Sequence, residues 1–290
     1  MEGQIIKALS GFYYVQTKEG TVYQTRGRGN FRKRKLTPLV GDYVTFESEN
    51  VTDGYLLELH PRKNQLIRPQ VANIDLALVV MSVVEPNFSS NLLDRFLTQL
   101  EYFGIRGVIY LSKMDLARAE DFTAIRSGYE KIGYPVLFST DDEVLRTLQK
   151  YFPQQLVVLM GQSGAGKSTL VNQFDDRLDL ATGEISEYLG RGRHTTRHVE
   201  LHPLFGGLIA DTPGFSSLEF PLMELTTLPK LFPEFLKASQ HCKFRECQHL
   251  NEPGCHVKEL VATGEIMTSR YDNYLQFVTE IKNRKPVYGK

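Results

Sequence analysis

The sequence predicts a multidomain α/β fold, and three observations support that prediction. Short strands separated by glycine and charged turns fill residues 1–67, which predicts a small N-terminal β-barrel. Apolar strands alternate with helical patterns over residues 68–220, which predicts a mostly parallel sheet with helices on both faces. Residues 221–290 begin with a proline-containing stretch, continue with a helical pattern and contain all the cysteines, which predicts a helical metal-binding domain.

Composition and charge limit the classes of function. Lys+Arg and Asp+Glu number 34 each, so any binding of nucleic acid must rest on local patches rather than on net charge. The longest apolar runs, such as 76–81, are far too short to span a bilayer, and the N-terminus lacks the pattern of a signal peptide. The 3 cysteines all fall between residues 242 and 255, which indicates a metal site rather than disulfides. We therefore expect a cytoplasmic enzyme with no membrane partner, and a monomer.

Strands in the N-terminal segment are indicated at 12–15, 21–24 and 42–46, and their spacing favours a barrel of the oligonucleotide-binding (OB) type. Residues 26–35, the basic loop, lie between these strands and combine cations with glycines. Such a loop suits contact with a phosphate backbone, although a solvated hairpin loop is the ordinary alternative. The cations expected to contact RNA are Arg26, Arg28, Arg32, Lys33, Arg34 and Lys35.

A phosphate-binding loop of the form G-x-x-x-x-G-K-[ST] spans residues 161–169. Its residues are Gly161, Gln162, Ser163, Gly164, Ala165, Gly166, Lys167, Ser168 and Thr169. The apolar run 156–160 before it suits a buried strand, and 170–174 after it can continue as a helix. In that context the backbone N–H groups cradle phosphates, Lys167 reaches the β and γ phosphates, and Ser168 ligates Mg²⁺.

A D-x-x-G sequence, Asp211-Thr212-Pro213-Gly214, follows the apolar run 207–210. The Asp211 carboxylate can hold Mg²⁺ through water, and the Gly214 N–H can meet a γ-phosphate. A D-x-x-G is also a common turn. Its place downstream of a phosphate loop favours the nucleotide-binding interpretation.

A possible base-reading motif, Ser112-Lys113-Met114-Asp115, comes directly after the predicted strand 107–111 and resembles the [NT]-K-x-D of GTPases. Asp115 would accept hydrogen bonds from guanine N1 and N2, which adenine cannot supply, while the Lys113 stem packs on the base. Ser112 replaces the usual Asn or Thr, and its hydroxyl can still tie this loop to the phosphate loop. Ser139 ends a later strand, where the backbone of a GTPase would meet guanine O6. A polar strand-to-helix turn is the alternative.

The cysteine cluster supplies three thiolates and has histidines beside it. Cys242, Cys247 and Cys255 with one imidazole satisfy tetrahedral zinc in a closed structural site, so a catalytic zinc is not expected. His249 lies within the cluster, and His241 and His256 flank it as competing ligands.

The order of these motifs is unusual, because the base-reading motif precedes the phosphate loop, whereas ordinary GTPases have the opposite order. A sheet core tolerates circular permutation when the old termini lie close together. The chain resembles the RsgA family of circularly permuted GTPases over essentially its whole length. The resemblance lies in this order of motifs, in the stretches 85–89, 92–97 and 192–196, and in the cysteine cluster. The resemblance implies GTP hydrolysis stimulated by the small ribosomal subunit, contact with its rRNA, and a role late in its maturation.

The resemblance also assigns residues. It selects His249 as the fourth zinc ligand and makes 192–196 the first switch loop, in which Thr195 or Thr196 would reach Mg²⁺. Phe215 stands where a Ras-like enzyme has a water-orienting Gln, so the resemblance suggests His194 for that role, unless a partner supplies the group. Lys167 and His194 are therefore the catalytic candidates.

Two other functions remain open from the sequence. One is a binding module that uses GTP for structure and hardly hydrolyses it. The other is an ATP-using small-molecule kinase, against which Asp115 argues.

The C-terminal segment contains an apolar pattern at helical spacing, for which core packing is the preferred interpretation. Its members are Tyr271, Tyr274, Leu275, Phe277, Val278 and Ile281. The neighbouring Arg270 is expected either to touch RNA or to be solvated.

Overall fold

The computed structural model describes residues 1–28, 31, 36–174, 199–211 and 220–284, and for Asp211 the backbone alone. The chain forms two compact units, Met1–Val80 with Thr140–Phe215 and Met81–Ser139 with Ser216–Lys290. The predicted domain limits 1–67, 68–220 and 221–290 stay a prediction. Among the described helices, none is both long and apolar enough to cross a membrane.

The described strands are β1 Glu2–Leu9, β2 Phe12–Gln16, β3 Val22–Gly27, β4 Tyr43–Ser48, β5 Gly54–Leu59, β6 Gln65–Leu66, β7 Val71–Ala72, β8 Leu76–Ser82, β9 Arg106–Ser112, β10 Val136–Phe138, β11 Leu156–Met160, β12 Glu200–Leu204 and β13 Gly207–Asp211. The described α-helices are α1 Ser90–Phe103, α2 Glu120–Ile132, α3 Val144–Gln149, α4 Lys167–Phe174, α5 Pro233–Ser239, α6 His256–Ala262 and α7 Thr268–Lys282. Short 3₁₀ turns cover Met114–Leu116 and Leu225–Leu231.

The first five strands close into the predicted barrel. The pairing order is β1-β2-β3-β5-β4, and β4 returns to β1, with β3 and β5 parallel and the other pairs antiparallel. Alternate residues point inward, so Ile5, Val15, Val44, Phe46 and Leu56 are completely buried in its centre. Closure removes free sheet edges and leaves the alternate, outward-facing residues as the surface of the barrel.

The phosphate-loop half of the sheet also belongs to the first unit. Strand β11 lies between β8 and β13 and is parallel to both, while β12 runs antiparallel to β13. All five residues of β11 are buried, as expected for a parallel strand covered on both faces. Strand β12 also pairs with β1 of the barrel, with Lys7 opposite Glu200 and their side chains joined by a 2.7 Å ion pair.

The second unit contains the parallel pair β9 and β10, helices α1 and α2, and the C-terminal helices. Helix α1 begins where the Ser89 hydroxyl accepts a hydrogen bond from the Leu92 N–H, and it ends at Gly104 in the left-handed conformation. The predicted apolar face of α7 is confirmed, because Tyr274, Phe277 and Val278 are buried in the C-terminal core and the other predicted residues pack against it.

Arg270 is the clear departure from the sequence-based expectation. It is only 1% exposed, and its guanidinium pairs with Asp94 of α1 and with both carboxylate oxygens of Glu234 on α5. Tyr129 and Asn273 also donate hydrogen bonds to Asp94, at 2.6 Å each. Arg270 is therefore an internal tie between α1, α5 and α7, and the expectation of a solvated or RNA-contacting residue was wrong.

Candidate nucleotide-binding and metal sites

The phosphate loop leaves β11 at Met160 and enters α4 at Lys167, as the sequence predicts. Gly161, Gly164 and Gly166 have φ values of 147°, 76° and 89°, which residues with a Cβ rarely adopt. A Cβ on Gly161 would lie 2.2 Å from the Val80 carbonyl oxygen, so only glycine at position 161 lets the loop pass this close to β8. The glycines of the motif thus fix the loop shape without a ligand.

Lys167 is the buried cation of this loop. Its ammonium donates hydrogen bonds of 2.7 Å to the Gly161 carbonyl and 2.8 Å to the Gln162 carbonyl, and the residue is 6% exposed. Burial lowers the pKa of Lys167 to about 8. Among the described side chains, none places a carboxylate in an ion pair with Lys167. The loop therefore contains a partly compensated positive charge, which is what an anion-binding site requires.

The remaining predicted loop residues surround that charge. The Ala165 N–H donates to the Gln162 carbonyl at 3.3 Å, which tightens the turn, and Ala165 itself is buried. Ser168 and Thr169 occupy the first turn of α4, where unpaired N–H groups and the helix dipole favour phosphate.

The sheet places the backbone of Asp211, the first residue of the D-x-x-G sequence, at the edge from which the phosphate loop leaves. Strands β11 and β13 are parallel neighbours with Val158 opposite Ala210, so Asp211 leaves the sheet at the same edge as the loop. The Asp211 side chain and the residues Gly214, His194, Thr195 and Thr196 lie outside the described residues, as do Arg32, Lys33, Arg34 and Lys35 of the basic loop.

The base-reading motif follows β9 in the second unit. Ser112 is the last residue of the strand, and Lys113 adopts a left-handed conformation with φ 59°. The Met114 N–H donates to the Ser139 hydroxyl at 3.0 Å, which joins the motif to the end of β10. Asp115 is exposed on the 3₁₀ turn. The structure therefore brings together Ser112, Lys113, Met114, Asp115 and Ser139, the residues that the sequence assigned to guanine.

Two backbone carbonyls near this motif were not anticipated. The Lys113 ammonium donates to the carbonyl of Val84 at 3.3 Å and also to the carbonyl of Glu85. The Ser112 hydroxyl donates to the Met81 carbonyl at 3.4 Å. Residues 85–89 contributed to the family resemblance without a stated role. Their distance along the chain from Lys113 explains why sequence reasoning could not give them one.

The metal cluster forms as predicted from four residues, Cys242, Cys247, His249 and Cys255, whose ligand atoms all lie within 4.8 Å of one another. The His249 Nδ1 lies 3.8 Å from the Cys242 sulfur and 3.4 Å from the Cys255 sulfur. Tetrahedral zinc with ordinary bond lengths requires sulfur–nitrogen separations of about 3.6 Å, so these residues fit a zinc ion.

The surroundings of the cluster orient its ligands. Tyr271 donates to the His249 carbonyl at 2.7 Å, and the Glu252 carboxylate accepts from the N–H groups of Gln248 and Leu250. Burial raises the pKa of the Cys247 thiol to about 12, a penalty that a bound dication would reverse. The flanking His256 instead places its Nδ1 3.0 Å from the Glu259 carboxylate, so His249 is the imidazole grouped with the cysteines.

Comparison with known proteins covers nearly the whole chain. The RsgA N-terminal domain family matches residues 2–56, and the RsgA GTPase family matches residues 59–221. The small ribosomal subunit biogenesis GTPase RsgA of Enterococcus faecalis is 62% identical over 293 residues, covering 100% of this chain and 98% of the relative. The chain belongs to the RsgA family.

Other RsgA relatives and solved structures agree with this assignment. RsgA of Latilactobacillus sakei is 55% identical over 99% of this chain and 98% of its own length. The crystal structure of YloQ, a circularly permuted GTPase, is 46% identical with a TM-score of 0.83, covering 99% of this chain and 96% of that one. The structure of YjeQ from Thermotoga maritima is 32% identical with a TM-score of 0.82, covering 98% and 99%. The resemblance drawn from the motif order is thus confirmed.

Proposed function

We propose that this RsgA family member binds GTP and hydrolyses it in a Mg²⁺-dependent reaction that small ribosomal subunits stimulate, and that it acts late in the maturation of those subunits. The observation that carries the proposal is the preformed phosphate loop with Lys167 buried in it. Membership of a GTPase family and the names of the relatives supply the reaction and the partner.

The phosphate loop accounts for binding of the triphosphate. A phosphate entering the loop would give Lys167 the negative partner that it lacks among the described residues, and the ammonium would exchange its carbonyl contacts for phosphate oxygens. Backbone N–H groups at the start of α4 would contact the same anion. Because Lys167 contacts the reacting phosphates in this proposal, it is a catalytic residue as well as a binding residue.

The base-reading motif accounts for guanine. Asp115 is exposed and follows Met114, whose N–H bonds to Ser139, so its carboxylate can accept hydrogen bonds from guanine N1 and N2. The contacts of Lys113 with the carbonyls of Val84 and Glu85 hold its stem in place as a surface for the base. This recognition argues against the ATP-using kinase.

The metal and switch assignments concern Mg²⁺ and the attacking water. Mg²⁺ would be held by Ser168, by Asp211 through water, and by Thr195 or Thr196, and when bound it neutralises charge on the phosphates. Gly214 would meet the γ-phosphate, and His194 would orient the attacking water as a neutral imidazole.

The zinc and partner assignments complete the proposal. The Cys₃His cluster would hold one structural Zn²⁺ with no open position. The basic loop, of which Arg26 and Arg28 are exposed members, would contact rRNA. We place the protein in the cytoplasm as a monomer. Metal analysis of the purified chain is expected to find about one zinc per molecule, and a metal-free folded chain would contradict the zinc assignment.

The deciding experiment measures phosphate release from GTP with no addition, with small ribosomal subunits, and with large ones. We expect large stimulation by small subunits alone, and a loss of guanine preference over adenine in Asp115→Asn. Equal rates in all three conditions would contradict the ribosomal role and favour the binding module. Faster release from ATP than from GTP would contradict the guanine assignment.

A further inference from the structure

We propose that the outer face of the N-terminal barrel binds unpaired RNA bases by stacking them on a row of side chains that crosses three strands. The row, called the aromatic row below, consists of Phe12 on β2, Arg26 on β3 and Tyr55 on β5. This inference rests on the RNA contact proposed above and states which form of RNA the barrel takes.

The strand register places these residues side by side. Phe12 is opposite Arg26 in the β2–β3 pair, and Arg26 is opposite Tyr55 in the β3–β5 pair. Their sequence neighbours Thr25 and Leu56 are completely buried inside the barrel. Because successive residues of a strand point to opposite faces, the aromatic row lies on the outside of the barrel.

The row combines aromatic surface with positive charge. Tyr55 is 46% exposed, Arg26 is exposed, and the Arg26 guanidinium lies 4.6 Å from the centre of the Phe12 ring. Glu47 is opposite Tyr55 on the next strand, and it forms an ion pair with Arg28. The negative charge of Glu47 is therefore compensated by Arg28, and Arg26 gives the row a positive charge.

The basic loop begins at this row. Arg26 belongs to both, β3 ends at Gly27, and Arg28, the next cation of the loop, is exposed directly after the strand. In barrels of the OB type, the face around the second and third strands is a common oligonucleotide-binding surface. Arg28 would contact the phosphates, while the row would contact the faces of the bases.

The geometry selects unpaired bases over a duplex. Phe12 and Tyr55 are separated by two strand spacings, about 10 Å, so one base can stack on Tyr55 and another on the Arg26 guanidinium that lies over the Phe12 ring. In a duplex the base faces are covered by their neighbours, and only single strands, loops or bulges can present them to aromatic side chains. A charged loop alone would not discriminate between these forms.

The test compares two fluorescent RNAs, a single-stranded oligouridine of twelve nucleotides and a duplex of the same length, binding to the full chain at fixed salt. We expect tighter binding of the single strand. Tyr55→Ala and Phe12→Ala are each expected to weaken single-strand binding by roughly 5- to 150-fold, and duplex binding little. Tyr55→Phe, which keeps the ring, is expected to bind like the wild type.

A matched control is Tyr43→Ala, which removes a tyrosine that is 50% exposed on β4 of the same barrel but outside the row. It is expected to leave RNA binding unchanged. Equal binding of both RNAs, or single-strand binding that survives Tyr55→Ala, would overturn the proposal, as would the absence of any RNA binding.

Phosphate release separates this inference from the proposed function. In Tyr55→Ala, the rate without subunits is expected to be unchanged, because the row is not part of the nucleotide site. If small subunits stimulate the wild type but the rings do not affect single-strand binding, only the stacking inference fails. If small subunits do not stimulate the wild type, the proposed function fails, whatever the oligonucleotides show. Loss of stimulation in Tyr55→Ala without any RNA binding would point to a ribosomal protein at the row and overturn the RNA assignment.

Discussion

Two buried cations, Lys167 in the phosphate loop and Arg270 in the second unit, differ in what compensates their charge. Arg270 faces two carboxylates and donates to Asp94 and Glu234 at 2.7–3.0 Å. Burial alone would lower the pKa of Arg270, but the carboxylates of Asp94 and Glu234 raise it well above its usual value. Lys167 has two carbonyls as acceptors, and burial lowers its pKa to about 8.

The difference shows how to tell a structural charge from a binding charge. When the charge of a buried cation is already compensated by carboxylates of the protein, binding an anionic ligand would gain little further free energy. A buried ion with only neutral acceptors remains unfavourable until an anion arrives, so ligand binding releases that penalty. By this criterion Arg270 stabilises the fold, and we expect Lys167, whose acceptors among the described residues are neutral, to bind phosphate.

Substitution of Arg270 should give the largest effect. Arg270→Met leaves Asp94 and Glu234 without their cation in a buried cluster, and we expect the free energy of unfolding to fall by about 3–5 kcal/mol. Urea unfolding followed by circular dichroism measures this. The control is Arg118→Met, which breaks a pair whose side chains are 81% and 53% exposed and should change stability by about 0.5 kcal/mol or less. Similar losses in the two variants would contradict the structural role of the cluster.

Substitution of Lys167 should produce the opposite pattern. Lys167→Met removes an unfavourable buried charge, so stability should stay the same or rise slightly, while affinity for GTP should fall by about 100-fold. Titration with a fluorescent guanine nucleotide measures the affinity. Lys150→Met, at an exposed position after α3, should leave both quantities unchanged. A large loss of stability in Lys167→Met would mean that the ammonium stabilises the folded loop and is not reserved for binding phosphate.

The pH dependence tests the same comparison through the protonation of Lys167. The pKa of Lys167 falls from 10.5 to about 8 on folding, so between these values the unfolded chain binds more protons than the folded chain. The contribution of Lys167 is therefore unfavourable below pH 8, and stability should rise by at most about 1.4 kcal/mol per pH unit from 8 toward 10.5. This rise should be present in the wild type and absent in Lys167→Met.

GTP binding should respond in the opposite direction over the same range. Because phosphate favours the protonated ammonium, affinity is expected to fall with rising pH above 8, by at most about tenfold per unit. A flat affinity profile in the wild type between pH 7 and 10 would show that Lys167 does not contribute its proton to binding. Lys167→Met supplies the background from other groups that titrate in this range.

The sequence was sufficient to predict features whose residues lie close together in the chain. The phosphate loop follows from glycines close together in the chain, and the buried strand expected at 156–160 is β11, Leu156–Met160. The Cys₃His group was also predictable, because its four residues lie within 14 residues of sequence, from Cys242 to Cys255. In each case the residues that make the feature are near neighbours in the chain.

Long-range pairing explains what the sequence could not show. Arg270 and Asp94 are 176 residues apart, and arginine is seldom buried, so solvent was the natural expectation for it. The carbonyls of Val84 and Glu85 carry no side-chain signal at all, and only the fold brings them to Lys113. The aromatic row depends on strand register, which cannot be read from residue types.

Strand β1 pairs both within the barrel and with β12, and this has a consequence for how the chain is made. All five strands of the barrel lie within residues 2–59, so it can close soon after those residues leave the ribosome. Along the edge that does not face β2, β1 pairs with β4 through residues 2–4 and with β12 at Lys7. Glu200, the partner of Lys7 in β12, is synthesised much later. The finished barrel would thus act as a template, on which β12 docks once translation reaches it.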